Sequence, residues 1–376
     1  MLVWAHSCSP PRRLYNQDMI PPEVVLDRWI KTCLCKRSYF DGYIGKLDLE
    51  RVDTPSLRAL LHLVQDAMNS ALRAESVNAS GGVEHPPFHF DYIEVKRDAK
   101  NAHNALAFQH NGFAFIGVTL PLVEFLWDIS QRLSMFQAVQ QLLGLDSEAV
   151  RPSALQAALF QLQLSFLVSH EYTHHVHLHC RQGESAVSGV WAEFLRDEIS
   201  GSLESQAQEL DADGYAIYLA LAHFLRGGGR ESLLAQLGRR DSTAIDGDEL
   251  LLTCFFLAVM AFFCARWHEN IDVNSIGQLT HPPAPVRIEY AIRVGQMWCE
   301  QNKSVPGSWF DAERFRELFE AAAQVIGTST RQAWDAHISF LRSQVGANYD
   351  QQLLERFEAL RKKPHEPAEK SAAGTM

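Results

Sequence analysis

The sequence predicts an α+β fold that is predominantly α-helical, with one small antiparallel or mixed sheet and helical extensions at both ends. Long stretches without Gly or Pro carry apolar residues at helical spacing, and the longest runs from residue 153 to 180. Short stretches that alternate like strands lie between residues 88 and 119. The composition, 47% hydrophobic and 21% charged, is that of an ordinary globular protein, so the chain can bury a sizeable core.

Residues 1–82 are predicted to form an N-terminal helical region. Two prolines open a helix at about residues 21–35, and a Thr-Pro pair supplies the cap and first position of a second helix over residues 54–76. A Ser-Gly-Gly linker at residues 80–82 marks the boundary to the next domain, which we place at residues 83–300.

Strands are predicted at the start of this second domain. Residues 88–95 alternate like a strand, and two further candidates follow at residues 104–107 and 113–119. Helical patterns dominate after this point, so we expect the sheet to be small.

The long helix over residues 153–180 is predicted to be buried. Pro152 fits its start and Gly183 fits its stop. The residues at helical spacing on its apolar face lead directly to a histidine: Leu155, Leu159, Leu162, Phe166 and His170.

That histidine begins an HExxH motif, His170-Glu171-Tyr172-Thr173-His174. Histidines four residues apart project from one face of a helix and can share one metal ion. Glu171 is then placed to take a proton from a water at an open coordination position. The motif indicates a zinc-dependent hydrolase, most often a peptidase. The alternative is an amphipathic helix with ordinary core or surface histidines.

A third ligand is predicted on the next helix. Catalytic zinc is held by three protein ligands and keeps a fourth position open. Glu209 is placed to supply the third ligand, and Asp213, one turn further on the same face, can accept a ring N–H of a liganding histidine. The alternative, an acidic first turn stabilised by the helix dipole, explains the carboxylates but not their spacing.

A proline-rich segment downstream carries a histidine and an arginine. His281 precedes two prolines, which hold it in extended geometry, and Arg287 follows six residues later. Peptide hydrolysis builds negative charge on a tetrahedral intermediate, which these two side chains can stabilise. The alternative is the proline-rich start of a helix with a surface histidine.

Together these motifs resemble the gluzincin metallopeptidases, and most closely the CAAX prenyl endopeptidase and HtpX-like family. That family has HExxH on one helix, Glu and Asp four residues apart on the next, and a His-Pro segment with Arg six residues after the His. The family also has a strand that carries an Asn-Ala-x-Ala run, like residues 104–107, and then a strand that leads into a helix, like residues 113–119. The likeness covers residues 86–295.

The resemblance implies a zincin-type core with the HExxH helix in its active site and one catalytic Zn²⁺. The implied roles are zinc ligation by His170, His174 and Glu209, general-base catalysis by Glu171, orientation of a ligand by Asp213, and stabilisation of the oxyanion by His281 with the help of Arg287.

The chain departs from two related patterns. Metzincins carry Gly three residues after the second motif histidine and a third His three residues further on, where this chain has His177 and Cys180. The several membrane helices of the prenyl proteases are not evident in the sequence, so the substrate is not carried over from the resemblance.

Residues 250–265 are almost entirely apolar and have two interpretations. As a helix they span about 24 Å, short of the roughly 30 Å hydrocarbon core of a bilayer. We therefore expect a buried core helix, and in the family a helix at this point packs behind the active site. The alternative is a membrane segment, which would make the chain a membrane-associated protease acting on membrane or lipidated proteins.

Charge and cysteine content limit the partners and the compartment. A net charge of −11 with scattered Lys and Arg gives no basic stripe for nucleic acid. Seven cysteines without regular spacing are expected to be reduced, and the N-terminus lacks a signal-peptide pattern, so we expect a cytoplasmic protein. The expected partner is a protein or peptide substrate.

Residues 301–362 are predicted to form a C-terminal helical region, with helices over residues 311–326, 328–345 and 350–361. The polar stretch 363–376 contains two prolines and is predicted to be a disordered tail.

Three expectations concern the surroundings of the site. The connection over residues 182–205 forms one wall of the cleft or is a plain surface crossover. An extended substrate adds to the sheet edge near residues 105–119. His175 and His179 lie about 100° round the helix from the motif histidines and form at most an adventitious second metal site.

The sequence therefore predicts a zinc-dependent endopeptidase of the gluzincin type. Besides the membrane-associated protease, the other alternative is a catalytically silent, zinc-binding regulatory protein. Glu171 and His281 argue against that alternative, because a structural zinc site needs neither of them.

Overall fold

The computed structural model describes the chain in eight stretches. They are residues 20–78, 86–145, 151–182, 190–192, 201–239, 243–265, 275–327 and 330–362. These residues are mostly helical and form one small mixed sheet, which confirms the predicted α+β class. The predicted tail, residues 363–376, lies outside the described residues.

The strands and helices are numbered in chain order. The strands are β1 (Tyr43–Lys46), β2 (Phe88–Val95), β3 (Ala105–His110), β4 (Phe113–Thr119) and β5 (Val190–Ala192). The helices are α1 (Pro22–Thr32), α2 (Pro55–Asn78), α3 (Leu120–Met135), α4 (Gln137–Leu142), α5 (Pro152–Val176), α6 (His179–Gln182), α7 (Leu203–Leu221), α8 (Gly229–Gln236), α9 (Ala244–Cys264), α10 (Ala284–Asn302), α11 (Ala312–Ile326), α12 (Thr330–Arg342) and α13 (Gln344–Lys362).

The sheet has the strand order β1-β2-β4-β3-β5. The β2–β4 pair is parallel, and the other neighbouring pairs are antiparallel. On one face, Phe108 and Phe115 pack with Trp29 of α1, whose ring stacks on Phe108 at 4.0 Å. On the other face, Phe90 and Ile116 belong to the main core. Helices therefore cover both faces of the sheet.

Three strands lie where the sequence predicts them, and two were missed. β2 and β4 have the predicted bounds, and β3 continues three residues beyond the predicted end at residue 107. β1 has four residues and β5 has three, which is too short for an alternating pattern to be recognised.

The helix α5 lies at the centre of the helical layer and packs against α3, α7 and α9. In its middle, Gln163 accepts a hydrogen bond from Ser130 of α3 at 3.1 Å and donates one to the carbonyl of Ala258 of α9 at 3.1 Å. Nearly one turn later, Phe166 contacts the rings of Phe262 and Phe263. These contacts fix α5 between its neighbours just before the HExxH motif begins.

The apolar helix α9 is the core helix expected for residues 250–265, extended at its N-terminal end. It begins at Ala244, because Thr243 caps its first turn by accepting a hydrogen bond from the backbone N–H of Asp246. Among the described helices it is the one long and apolar enough to cross a membrane, but 83% of its most apolar window is buried inside the protein. Its apolar residues are therefore used in packing against α5, α10 and α11.

The C-terminal helices follow the prediction with shifted boundaries. α11 matches within one residue, whereas α13 begins at Gln344 rather than at residue 350. α13 packs against α7, which carries Glu209. The main core contains residues from both sides of positions 82 and 300, and the division into residues 1–82, 83–300 and 301–362 stays a prediction.

The contact between α9 and α10 depends on a glycine. A Cβ at Gly295 would lie 2.5 Å from Cζ of Phe256, whose ring is buried among four other aromatic rings. We expect Gly295→Ala to lower the free energy of unfolding by about 1–3 kcal/mol through overpacking, although Ala is the better helix former. Urea unfolding measures the loss. Gly307→Ala is the control, since an added Cβ there meets no atom within 4 Å. Equal stability of the two variants would contradict this packing.

Candidate metal centre

Two helices bring three metal-ligating side chains to one point. His170 and His174 lie one turn apart on α5, and Glu209 lies on the adjacent α7. The Nε2 atoms of the two histidines are 3.0 Å apart. The carboxylate of Glu209 lies 3.3 Å from Nε2 of His170 and 3.5 Å from Nε2 of His174. All three side chains are buried.

These separations match the edges of a metal coordination shell. A tetrahedral ion with metal–ligand distances of about 2.0–2.1 Å holds its ligand atoms about 3.3 Å apart. The three separations, 3.0, 3.3 and 3.5 Å, lie on either side of that value, and the last two join the histidines to different oxygens of Glu209. His170, His174 and Glu209 therefore form a group that could hold a metal ion, called the metal centre below.

His170 is oriented by Asp213, one turn beyond Glu209 on α7. Nδ1 of His170 lies 3.0 Å from Oδ1 of Asp213, and a carboxylate can only accept, so the ring carries its proton on Nδ1. The lone pair on Nε2 then faces the metal centre. A carboxylate behind a liganding histidine fixes its ring orientation and raises its basicity.

Arg287 lies behind Asp213 rather than at the open side of the centre. It donates from Nε to Oδ2 and from a terminal nitrogen to Oδ1, both at 2.7 Å. The guanidinium also lies over the ring of Phe263, 4.7 Å from its centroid, and is 2% exposed. The side chain therefore holds Asp213, and its terminal nitrogen also lies 3.9 Å from Oε2 of Glu209; the expectation that Arg287 helps to stabilise the oxyanion stays a prediction.

His281 approaches the metal centre from the loop before α10. Its Nε2 lies 3.5 Å from Oε2 of Glu209, and its Nδ1 lies 2.9 Å from the hydroxyl of Thr280. The side chain is 11% exposed, so it lies at the edge of the buried centre. Glu171 follows His170 on α5 and is 1% exposed. His281 therefore lies beside the three ligands, and Glu171 is the buried neighbour of His170 in the sequence.

The helix that carries the motif ends earlier than predicted. α5 stops at Val176 instead of continuing to residue 180, and Leu178 adopts a left-handed conformation with φ of +62°. This reversal starts the short helix α6 at His179 and turns that side chain back toward His174.

His174 is oriented by a second histidine. Its Nδ1 lies 3.0 Å from Nδ1 of His179, so one ring donates to the other. Nε2 of His179 lies 3.3 Å from Oδ2 of Asp211, which also makes a short contact with Nδ1 of His177. Because Asp211 accepts the proton on Nε2 of His179, the proton between the two rings belongs to His174. His174 then presents its Nε2 lone pair to the metal centre.

The protonation states of His179 and Asp211 follow from their burial and their hydrogen bonds. Burial lowers the pKa of His179 by more than the hydrogen bond to Asp211 raises it, so the ring is neutral. Burial alone would raise the pKa of Asp211, but the hydrogen bonds from His177 and His179 hold it well below its usual range. The carboxylate of Asp211, which accepts from His179, is therefore ionised.

His175 does not join His179 in a second metal site. Its Nε2 donates to the backbone carbonyl of Phe115 on β4 at 2.8 Å, which ties α5 to the sheet. His179 instead groups with His177 and Asp211, and these three offer ligand atoms within 4.8 Å of one another. The expected His175–His179 pair is therefore corrected to a His177–His179–Asp211 group.

The sheet edge also differs from the expectation. β3 pairs with β4 on one side and with β5 on the other, so Ala107 lies between Ile116 and Trp191. The expected addition of a substrate strand near residues 105–119 is excluded at β3, because both of its sides are paired. β5 comes from the connection between the two ligand helices and is the last strand of the described sheet.

A glutamine on α7 fastens the loop that carries His281. The amide nitrogen of Gln206 donates to the carbonyls of Ile276 and Leu279, both at 2.8 Å. Its amide oxygen accepts a hydrogen bond from the hydroxyl of Tyr349 on α13. The C-terminal helix thus supports this loop through a residue one turn before Glu209.

Of the residues singled out from the sequence, six lie at or directly behind the metal centre and Glu171 is the buried residue next to His170; the six are His170, His174, Glu209, Asp213, His281 and Arg287. Sequence reasoning missed His179, Asp211, Gln206 and Tyr349. One local signal in the sequence pointed to Asp211, namely its position between the two carboxylates Glu209 and Asp213. Comparisons of the chain with protein-family models, curated proteins and solved structures found no match.

The Asp213–Arg287 pair is expected to affect both the stability of the fold and the affinity of the metal centre for its ion, and the two effects can be measured separately. Asp213→Asn removes the charge that accepts both 2.7 Å hydrogen bonds of the buried guanidinium and leaves it the longer contact with Glu209, at 3.9 Å, so we expect a loss of about 3–5 kcal/mol in the free energy of unfolding. Metal affinity should fall by about 10–100-fold, because His170 loses its carboxylate. Urea unfolding and titration against a competing chelator measure the two effects.

The double variant Asp213→Asn/Arg287→Met is the matched control. It removes both charges, so most of the stability should return while metal affinity stays low. If the single and double variants were equally stable, the buried ion pair would not have the role given to it here.

The support of the His281 loop by Gln206 predicts a local effect. Gln206→Met keeps the length of the side chain but removes both donated hydrogen bonds, so residues 275–283 should exchange their amide hydrogens faster. Hydrogen exchange followed by mass spectrometry measures this. Tyr349→Phe loses only the third hydrogen bond and should have a smaller effect. Unchanged protection in Gln206→Met would show that the loop is held by other contacts.

Proposed function

We propose that this chain is a zinc-dependent metallopeptidase that hydrolyses peptide bonds within protein or peptide substrates. The observation that carries the proposal is the convergence of His170 Nε2, His174 Nε2 and the Glu209 carboxylate within 3.5 Å of one another. A structural zinc site is closed by four protein ligands, whereas three ligands leave a position for water and substrate.

Zinc is the proposed ion because of the donor set and the spacing. Two imidazoles and one carboxylate form a set common to catalytic zinc sites, and the separations fit tetrahedral coordination. Each imidazole has its other nitrogen engaged, His170 with Asp213 and His174 with His179, as liganding histidines require. Bound there, zinc would supply Lewis acidity that activates a water and polarises the scissile carbonyl.

The remaining chemistry is assigned to side chains of this chain. Glu171, buried beside the ligands, takes the proton of the attacking water and passes it to the leaving amine. His281, 3.5 Å from Glu209, donates to the oxygen that becomes negative in the tetrahedral intermediate. Asp213 and His179 hold the two liganding rings, and Arg287 holds Asp213.

An extended substrate is proposed to lie along β5. This strand belongs to the connection between α5 and α7 and is the last in the described sheet. A substrate added there would form backbone hydrogen bonds with a strand that already neighbours β3. β5 would then form one wall of the cleft, as expected for the connection over residues 182–205, of which residues 183–189 and 193–200 lie outside the described residues.

The two alternatives predict different behaviour. A membrane-associated protease would insert residues 250–265, yet the helix α9 that contains them is 83% buried in its most apolar window. We therefore keep the proposal of a cytoplasmic enzyme. A catalytically silent zinc protein would bind the ion without hydrolysing any peptide, which the next experiment detects.

Three variants test the proposed function. Glu171→Gln should lose at least about 100-fold of the rate, because general-base catalysis contributes about 10²–10⁴-fold, while it keeps one zinc per chain. His174→Ala and Glu209→Ala should lose the zinc. Zinc content and cleavage of a fluorescein-labelled unfolded protein are measured on the same preparations.

Glu204→Gln on the exposed first turn of α7 is the matched control and should behave like the wild type. Full activity of Glu171→Gln would rule out the proposed mechanism. Zinc retained by both His174→Ala and Glu209→Ala would rule out the proposed ligands.

A further inference from the structure

A second group of metal-ligating side chains lies outside the centre described above. His177, His179 and Asp211, called the second cluster below, offer ligand atoms within 4.8 Å of one another. Oδ2 of Asp211 lies 3.3 Å from Nε2 of His179 and makes a short contact with Nδ1 of His177. Like the metal centre, it combines two imidazoles with one carboxylate.

The second cluster is built by an unfavourable backbone conformation. Leu178 lies in the left-handed region with φ of +62°, which non-glycine residues rarely adopt. This conformation brings the residues on either side of it, His177 and His179, to the same carboxylate. Backbone strain of this kind persists where the surroundings enforce it and is concentrated at functional sites.

The second cluster also has an access route. The side chains of His179 and Asp211 are 3% and 5% exposed, whereas that of His177 is 30% exposed. An ion could therefore bind His177 first at the surface and then reach the two buried ligands.

We propose that the second cluster binds a divalent transition metal ion such as Zn²⁺, and that it does so in competition with the metal centre. The two sites are joined by the contact between Nδ1 of His174 and Nδ1 of His179, 3.0 Å apart. A neutral imidazole carries one proton, on one of its two nitrogens. The contact holds one proton, which belongs to either His174 or His179.

Each position of that proton permits one site and blocks the other. With the proton on Nδ1 of His174, its Nε2 lone pair faces the metal centre, and His179 carries its own proton on Nε2, where it cannot ligate. With the proton on Nδ1 of His179, its Nε2 can bind an ion in the second cluster. His174 then carries its proton on Nε2 and is lost as a ligand of the metal centre.

The exclusion between the two sites rests on the proposed function, because it requires that His174 ligate zinc. Metal binding by the second cluster does not depend on that ligation. Each chain should therefore hold one ion at one site or the other, so excess zinc should not raise the number of ions per chain above one. The second cluster is thus an alternative site for one ion rather than half of a binuclear centre.

The test is equilibrium dialysis of metal-free protein against rising concentrations of Zn²⁺, with zinc per chain measured for four proteins. Wild type should hold one ion even well above the concentration that fills the variants. His177→Ala should hold one ion, at the metal centre. Glu209→Gln should also hold one ion, now at the second cluster. Glu209→Gln/His177→Ala should lose it.

Any other result of the dialysis overturns a specific part of the proposal. If the double variant binds zinc as tightly as Glu209→Gln, the second cluster is not a metal site. If wild type binds two ions, the exclusion is wrong. If wild type binds one ion and His177→Ala binds none, the second cluster holds the ion and the proposed function fails instead.

A second measurement reads the proton directly and does not depend on activity. Long-range ¹H–¹⁵N spectra of histidine-labelled protein distinguish the two imidazole tautomers. Zinc-loaded wild type should show His179 protonated on Nε2, and zinc-loaded Glu209→Gln should show it protonated on Nδ1. Protonation on Nε2 in both proteins would overturn the proposal, even if a variant bound zinc elsewhere.

Discussion

The buried ion pair between Asp213 and Arg287 is the interaction on which the geometry of the site depends. The carboxylate is fully buried and the guanidinium is 2% exposed, with two hydrogen bonds of 2.7 Å between them. Such a pair is stable only if both charges are fully hydrogen-bonded, which fixes α10 against α7. Asp213 also accepts from His170, so the same contact fixes α5. One carboxylate therefore holds three helices at the distance that the metal centre requires.

The helix α7 supplies both a ligand and the acceptors behind the other two ligands. Glu209 faces the metal centre, Asp213 lies one turn further on the same face, and Asp211 points to a different side of the helix. Asp211 therefore cannot reach a motif histidine directly. The left-handed Leu178 solves this by turning His179 back between His174 and Asp211. Each motif histidine is thus linked by hydrogen bonds to a carboxylate. His170 contacts Asp213 directly, and His174 is connected to Asp211 through the ring of His179.

The sequence was informative wherever a feature is local. The spacing of His170 and His174, of Glu209 and Asp213, and the alternation of residues 88–95 depend on helix or strand periodicity alone. Features set by distant partners could not be predicted. Gln206 and Tyr349 are 143 positions apart. The parallel pairing of β2 with β4 and the pairing of β5 with β3 depend on tertiary contacts that no short pattern encodes. The early end of α5 was missed because Leu178 has no propensity for the conformation that it adopts.

Charge balance gives a reason why a divalent ion suits this centre. Glu171, Glu209 and Asp213 are buried together, and Arg287 is the only buried Lys or Arg in the part of the chain that the structure describes. Three carboxylates beside one guanidinium leave two negative charges to be compensated, if all are ionised. A single divalent cation between His170, His174 and Glu209 would neutralise them, whereas a monovalent cation would not. The second cluster differs, because its one buried carboxylate already accepts hydrogen bonds from two histidines. Charge alone therefore favours an ion in the metal centre over an ion in the second cluster. Because the proton between His174 and His179 permits only one of the proposed sites to bind, an ion in the metal centre also blocks the second cluster.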